Sequence, residues 1–232
     1  MQVNAIIQAR MSSQRLPAKV LMPAEGKAML EWLLLRLKAS QKLSKIILAT
    51  SNDVTDDKLS QFCNEHKLIC ERGSLDNVAQ RFAQVIQKHP AEYFVRINAD
   101  SPFYDVSLME NAIDLALTNG FDLVTNVFPR SYPKGFSVEV IKSATFLEIC
   151  RKISSNEEKE HCTQYFYKNP EKFKIHNFKS KTDHSNLNLS VDSPQDFESF
   201  CVVLNKIKHN FEKTTYQEII EHFKQVSASK KT

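Results

Sequence analysis

Three cationic side chains, Arg10, Arg15 and Lys19, fall within ten residues of one another beside the hydroxyls of Ser12 and Ser13, with no acid among them. That set suits a polyphosphate. Arginine grips phosphate oxygens with a planar fork, lysine adds a compact charge, and hydroxyls and loop N–H groups fill the remaining acceptors. A solvated basic loop would have the same composition. Two acids offer the complementary chemistry: Asp100 in Ala99-Asp100-Ser101-Pro102 and Asp192 in Val191-Asp192-Ser193-Pro194, each just beyond an apolar run. Facing one crevice, two such carboxylates would make a hard-oxygen site for Mg²⁺, which takes one or two carboxylates plus phosphate oxygens and water. Alternatively, each caps a helix N-terminus before Ser-Pro.

Positioning these groups requires a sheet. Residues 3–7, 45–50, 68–70 and 93–97 are short apolar runs that end in polar turn formers and read as buried strands. Between them, apolar residues at helical spacing predict helices over 29–37, 56–66 and from Val78 through Ile86, with Asp56 and Asp57 opening the second, where acids suit the helix dipole. The loop 72–77 follows the third strand. Such β-α alternation implies parallel strands with right-handed crossovers and a ligand crevice at their carboxyl ends. A helix over 107–118 and a strand over 122–125 complete the first half.

The second half is less regular. A Pro-containing loop at 128–134 precedes an alternating, antiparallel-type strand at 136–141 and helices at 144–152 and 157–168. Strands at 173–178 and 187–191, helices at 195–208 and 216–223, and a polar tail at 227–232 finish the chain. The expected organisation is one α/β domain over 1–226, with an excursion at 128–179.

The 232 residues are enough to bury a full core, and 42% hydrophobic with 25% charged residues is ordinary for a globular protein. A net charge of +4, with the basic residues dispersed among 27 acids, argues against nucleic acid as the partner. The five cysteines are odd in number and form no CxxC pair, which disfavours both a disulfide framework and a zinc site. No run is long enough to span a membrane, and no leader pattern opens the chain, so a cytoplasmic location is expected.

The run from Ile6 to Leu21 resembles the opening signature of the cytidylyltransferases that make CMP-activated acidic sugars, in the branch of spore coat polysaccharide biosynthesis protein F, related to the CMP-Kdo and CMP-neuraminate synthetases. The resemblance continues in order through Gly26-Lys27, Arg72-Gly73-Ser74-Leu75-Asp76, Arg96-Ile97-Asn98-Ala99-Asp100-Ser101-Pro102, Gly135-Phe136-Ser137-Val138-Glu139-Val140, Glu160-His161-Cys162-Thr163 and Val191 to Phe197. It implies a three-layer α/β/α nucleotidyltransferase fold with a mostly parallel sheet and a β/α dimerisation excursion, hence a homodimer.

The activity it implies is transfer of CMP from CTP to an acidic sugar or related anionic acceptor, with loss of pyrophosphate, in surface-glycan synthesis. Arg10, Ser13, Arg15 and Lys19 fall on triphosphate-binding positions, and Ala9, Ser12 and Asn98 join the nucleotide-binding set. Asp100 and Asp192 fall on Mg²⁺ positions, so Lys19, Arg10, Arg15 and Asp100 would carry catalysis. Arg72, Ser74 and Asp76 are carried over to the loop near the cytidine, and Glu139 and His161 to the acceptor side. A half-exposed surface glutamate and a structural histidine are the competing readings of those last two.

Two departures stand out. Ala18 replaces the glycine usual in Leu-Pro-Gly-Lys, and Ser137 stands where the branch often has aspartate. Another nucleotidyl- or glycosyltransferase of the same fold, or a non-catalytic nucleotide-binding module, remain alternatives.

Overall fold

The computed structural model describes residues 2–229. In chain order, β1 (Val3–Gln8) is followed by a small hairpin of β2 (Pro23–Ala24) and β3 (Lys27–Ala28), then α1 (Met29–Lys38), β4 (Lys45–Ser51), α2 (Asp57–Glu65), β5 (Ile69–Gly73), α3 (Val78–Lys88) and β6 (Tyr93–Asn98). The second half holds α4 (Val106–Asn119), β7 (Leu123–Thr125), β8 (Glu139–Lys142), α5 (Ser143–Cys150), α6 (Asn156–Glu160), α7 (Gln164–Lys168), β9 (Ile175–Asn177), α8 (Pro194–Ile207) and α9 (Tyr216–Ser229).

Seven strands form one sheet in the order β5-β4-β1-β6-β8-β7-β9. All neighbours pair in parallel except at β8, which runs antiparallel to both β6 and β7. Strand alternation sorts the core into two layers. Ala5, Ile7, Leu48, Val95 and Ile97 face α1, α2, α4, α8 and α9, whereas Ile6, Ile47, Ala49 and Phe94 face α3, α5 and α7. The expected three-layer α/β/α fold is therefore present, and the ends of β1 and β6, which lie side by side, deliver the basic loop and Asp100 to the same edge.

Several local expectations need correction. The strand expected at 68–70 runs on to Gly73, so Arg72 lies in a strand and not in a loop. Residues 136–138 stay outside β8 because the Asn126 side chain takes the place of a ladder: its Nδ2 donates to the Phe136 carbonyl (2.8 Å) and its Oδ1 accepts from Val138 N–H (2.9 Å). Residues 187–191 do not join the sheet, because their backbone bonds are split between partners. Leu189 N–H donates to the Lys134 carbonyl (2.8 Å) and Val191 N–H to that of Asp100 (2.8 Å). The helix expected at 157–168 is two helices, interrupted where Cys162 and Thr163 turn into the core. At the chain end, α9 extends to Ser229, through part of the expected tail, and 230–232 lie outside the described residues.

The threading of 187–191 explains Gly135. Its φ is +98°, and a Cβ there would sit 2.8 Å from the Leu189 carbonyl carbon and 3.0 Å from Ser190 N. The close approach puts the segment on its path to Asp192. Gly135→Ala is expected to destabilise the fold by more than about 1 kcal/mol, since it adds both a left-handed alanine and a backbone clash. A urea midpoint equal to that of the wild type would show that the segment is not held there.

Candidate functional site

A cavity of about 570 Å³ opens at the carboxyl ends of β1 and β6, lined by the basic loop, Arg96, Asn98, Asp100, Glu160, His161 and Asp192. Its loop is fixed from both sides. Ala18 N–H donates to the Met11 carbonyl at 3.0 Å and closes the turn, while Met11 N–H donates to Asp56 Oδ1 at 2.7 Å. Ala18 adopts the left-handed conformation (φ 59°, ψ 14°) that the usual glycine would accept without strain. The short turn Lys19–Leu21 then aims the Lys19 ammonium inward, with the side chain only 10% exposed.

Lys19 Nζ lies 2.8 Å from Asp192 Oδ1 and 3.4 Å from Asp100 Oδ2, so one ammonium bridges the two carboxylates. Arg15 Nη2 adds a second contact to Asp192 Oδ1 at 3.2 Å. Neither aspartate is a helix cap. Ser193 caps α8 in a reciprocal box with Asp196 (2.9 and 3.2 Å), and Asp105 caps α4 (2.9 Å to Leu108 N–H). Both site carboxylates are therefore left to face the cavity, and the bond from Val191 N–H to the Asp100 carbonyl keeps them adjacent. Among the described residues no group of three or more His, Cys, Asp or Glu side chains converges as a metal cage. The donor set still suits a hard divalent cation that takes two carboxylates and completes its shell with phosphate oxygens and water.

Of the residues singled out in the sequence, Ala9, Arg10, Ser13, Arg15, Lys19, Asn98, Asp100, His161 and Asp192 line this cavity. Arg10 Nη2 pairs with Glu160 Oε1 at 3.0 Å across its mouth. Ser12 is exposed and lies off the cavity lining. Arg72, Ser74 and Asp76 are not brought to it either. Arg72 brackets the loop after β4, donating to the Ser51 and Asp53 carbonyls (both 2.8 Å) and to Asp57 (2.7 Å). Ser74 accepts from Asn77 N–H (3.0 Å), and Asp76 is exposed. Glu139 is buried and bonded to Arg96 Nη1 (2.7 Å) and to the Tyr167 hydroxyl (2.6 Å), so the exposed-glutamate reading is excluded.

Three participants were not singled out as site residues. Asp56 has a sequence signal that points elsewhere. It stands at the start of a helix, yet its carboxylate is fully buried and holds Met11 N–H, Ser51 N–H and the Ser51 hydroxyl. Arg96 has a better signal, since a charge inside the apolar run Tyr93–Ile97 needs a buried partner or a ligand. Glu160 carries none beyond its place beside His161.

The family model for cytidylyltransferase matches residues 4–200. Spore coat polysaccharide biosynthesis protein SpsF of Bacillus subtilis (strain 168) is 29% identical over 208 residues, covering 87% of this chain and 85% of that protein. The 3-deoxy-manno-octulosonate cytidylyltransferase of Geobacter sulfurreducens is 30% identical over 115 residues, covering 49% of this chain and 44% of that one. A solved cytidylyltransferase from Leptospira borgpetersenii serovar Hardjo-bovis superposes with a TM-score of 0.93 at 27% identity, covering 98% and 96% of the two chains.

Burial pushes the Asp192 carboxyl up, but the hydrogen bond and charge of Lys19, then Arg15 and Ser190, outweigh it and hold the group below its ordinary value. Its stabilising contribution is therefore complete above the unfolded-state value of about 3.9 and is lost only as pH falls through the lower folded-state value. In Lys19→Met the Asp192 midpoint is expected to rise, because burial then opposes fewer cations. Carbon-detected NMR titration of the side chain checks this, and an unmoved midpoint would remove Lys19 from the account.

Proposed function

Because the chain belongs to the cytidylyltransferase family, we propose that it transfers CMP from CTP to an anionic, sugar-type acceptor with release of pyrophosphate. The observation that carries this reading is the Lys19 ammonium shared between Asp100 and Asp192 at the floor of a cavity whose near wall is cationic. In the proposed reaction an acceptor oxygen attacks the α-phosphorus of CTP and forms the new P–O bond. The bond from that phosphorus to the bridging oxygen breaks, pyrophosphate leaves with the electron pair, and an attacking hydroxyl loses its proton. Such a transfer depends on alignment and on neutralising charge that moves toward the leaving group.

Lys19, Arg10 and Arg15 supply fixed positive charge on the triphosphate side. Engaging Arg10 requires exchanging Glu160 for phosphate oxygens, an exchange that a charge-assisted bidentate contact favours. Asp100 and Asp192 would hold Mg²⁺, whose chemistry is to bind phosphate oxygens and offset their charge. The acidic-sugar class of acceptor is supported by the relatives: one is named for 3-deoxy-manno-octulosonate and another for polysaccharide synthesis.

Pyrophosphate release with each of the four NTPs, against a panel of sugar acids and sugar phosphates, tests the reading. Release is expected with CTP, to stop on addition of EDTA and to return with Mg²⁺. Asp100→Ala and Lys19→Met should each lower kcat by at least about 10²-fold while leaving the fold intact. CTP binding without release for any acceptor would favour a binding module instead.

The proposal extends to a homodimer through the 128–179 excursion, where Phe128 is 39% exposed and its ring packs on Tyr167 at 5.0 Å. Light scattering should give twice the chain mass, and a monomer at working concentration would count against it.

A further inference from the structure

The cavity's cations are unequally committed. Arg10, Arg15 and Lys19 each contact a carboxylate that itself lines the cavity, and all three stand on the loop assigned to the triphosphate. Arg96 comes from β6, and its charge partner Glu139 lies behind the lining. The Arg96 side chain is 13% exposed and that of Glu139 6%. Glu139 Oε2 accepts from Arg96 Nη1 at 2.7 Å, and its Oε1 accepts from the Tyr167 hydroxyl at 2.6 Å, so the carboxylate is held at both oxygens. Burial pushes Arg96 down, but Glu139, together with Cys162 and Tyr167, more than offsets it and the guanidinium stays charged, while burial and Glu139 keep the Tyr167 hydroxyl protonated.

The other side of that guanidinium is under-used. Arg96 lines the cavity, and its Nη2 has a long bond, 3.3 Å, to Gln8 Oε1, whereas Nε is sealed from solvent and the Cys162 thiol lies against the guanidinium. A guanidinium clamped through Nη1 and only loosely bonded through Nη2 is preorganised to offer Nη2 to an oxyanion.

We infer that Arg96 binds the acceptor's carboxylate, on the wall of the cavity supplied by β6, and that Glu139 with Tyr167 are positioning residues that fix its guanidinium. A carboxylate fits better than a phosphate. Glu139 already offsets the Arg96 charge, so every negative charge the acceptor brings is uncompensated within this partly buried cluster, and a monoanion costs less there than a dianion. Glu139 thus acts on the acceptor through Arg96 and does not touch it. Asn98 and His161 line the same cavity and can contact the acceptor's uncharged groups.

The inference rests on the nucleotidyl-transfer reading, and the test separates the two. Pyrophosphate release from CTP is measured with the best-used sugar acid of the panel and with its carboxamide, which keeps the shape and loses the charge. Wild type should prefer the acid. In Arg96→Met, KM for the acid should rise about 10- to 100-fold, as expected for losing one charge-assisted hydrogen bond. The preference over the carboxamide should collapse, and KM for CTP should stay within about twofold. Glu139→Gln should shift the acid KM in the same direction by less.

The double variant Arg96→Met with Glu139→Gln removes both buried charges, so it avoids an orphaned carboxylate that could unfold the single variant. It should show the same loss of preference. Retained preference in a folded variant, an equal rise in KM for CTP, or release only with sugar phosphates would each overturn the assignment of Arg96 while leaving nucleotidyl transfer standing. No release with any NTP would overturn both.

Discussion

One buried ammonium holds this site together. Lys19 is separated by 81 residues from Asp100 and by 173 from Asp192, and its Nζ contacts both carboxylates. Removing a lysine from water is costly unless acids meet it, and two acids turned toward each other repel unless a cation lies between them. Each group therefore makes the others tolerable. The consequence is architectural, because the triad forms only if β6 lies beside β1 and if the segment before α8 returns to the Asp100 carbonyl. Loop, strand end and helix entry are tied at one point on the cavity wall.

The antiparallel strand β8 gives the cavity its second character. In a wholly parallel sheet the neighbour of β6 would present its own carboxyl end at the same edge. Here β8 starts at that edge with Glu139, directly beyond the Val95 and Val140 pair, so an acid is placed next to Arg96 on the face packed by α3, α5 and α7. The two walls then differ in kind. The β1 loop bears cations whose acid partners share the cavity, and β6 bears one cation pinned from behind.

How far the sequence foretold this depends on which physical signal each part relies on. Branched apolar runs such as Ile6-Ile7 and Ile46-Ile47-Leu48 are long-range statements about burial, and they located the central strands. The loop chemistry of Arg10 to Lys19 was legible because its residue types have few other uses together. Side chains that replace backbone partners were not legible. Asn126 substitutes for a ladder and shortens β8, and 187–191 divides its bonds between Lys134 and Asp100, although its pattern alternates like a strand. Asp56 looked like a helix-dipole acid because local sequence cannot show that Met11, 45 residues away, donates to it.

That last contact has a consequence for motion. A single carboxylate holds the amide of Met11 in the loop after β1 and the amide of Ser51 at the end of β4. Neither loop can lift without leaving a fully buried carboxyl oxygen unsatisfied, so the two are coupled into one opening unit. The amide protons of Met11 and Ser51 would then exchange with solvent at a common free energy. The breathing of the loop after β1 would be set by a residue that does not itself line the cavity.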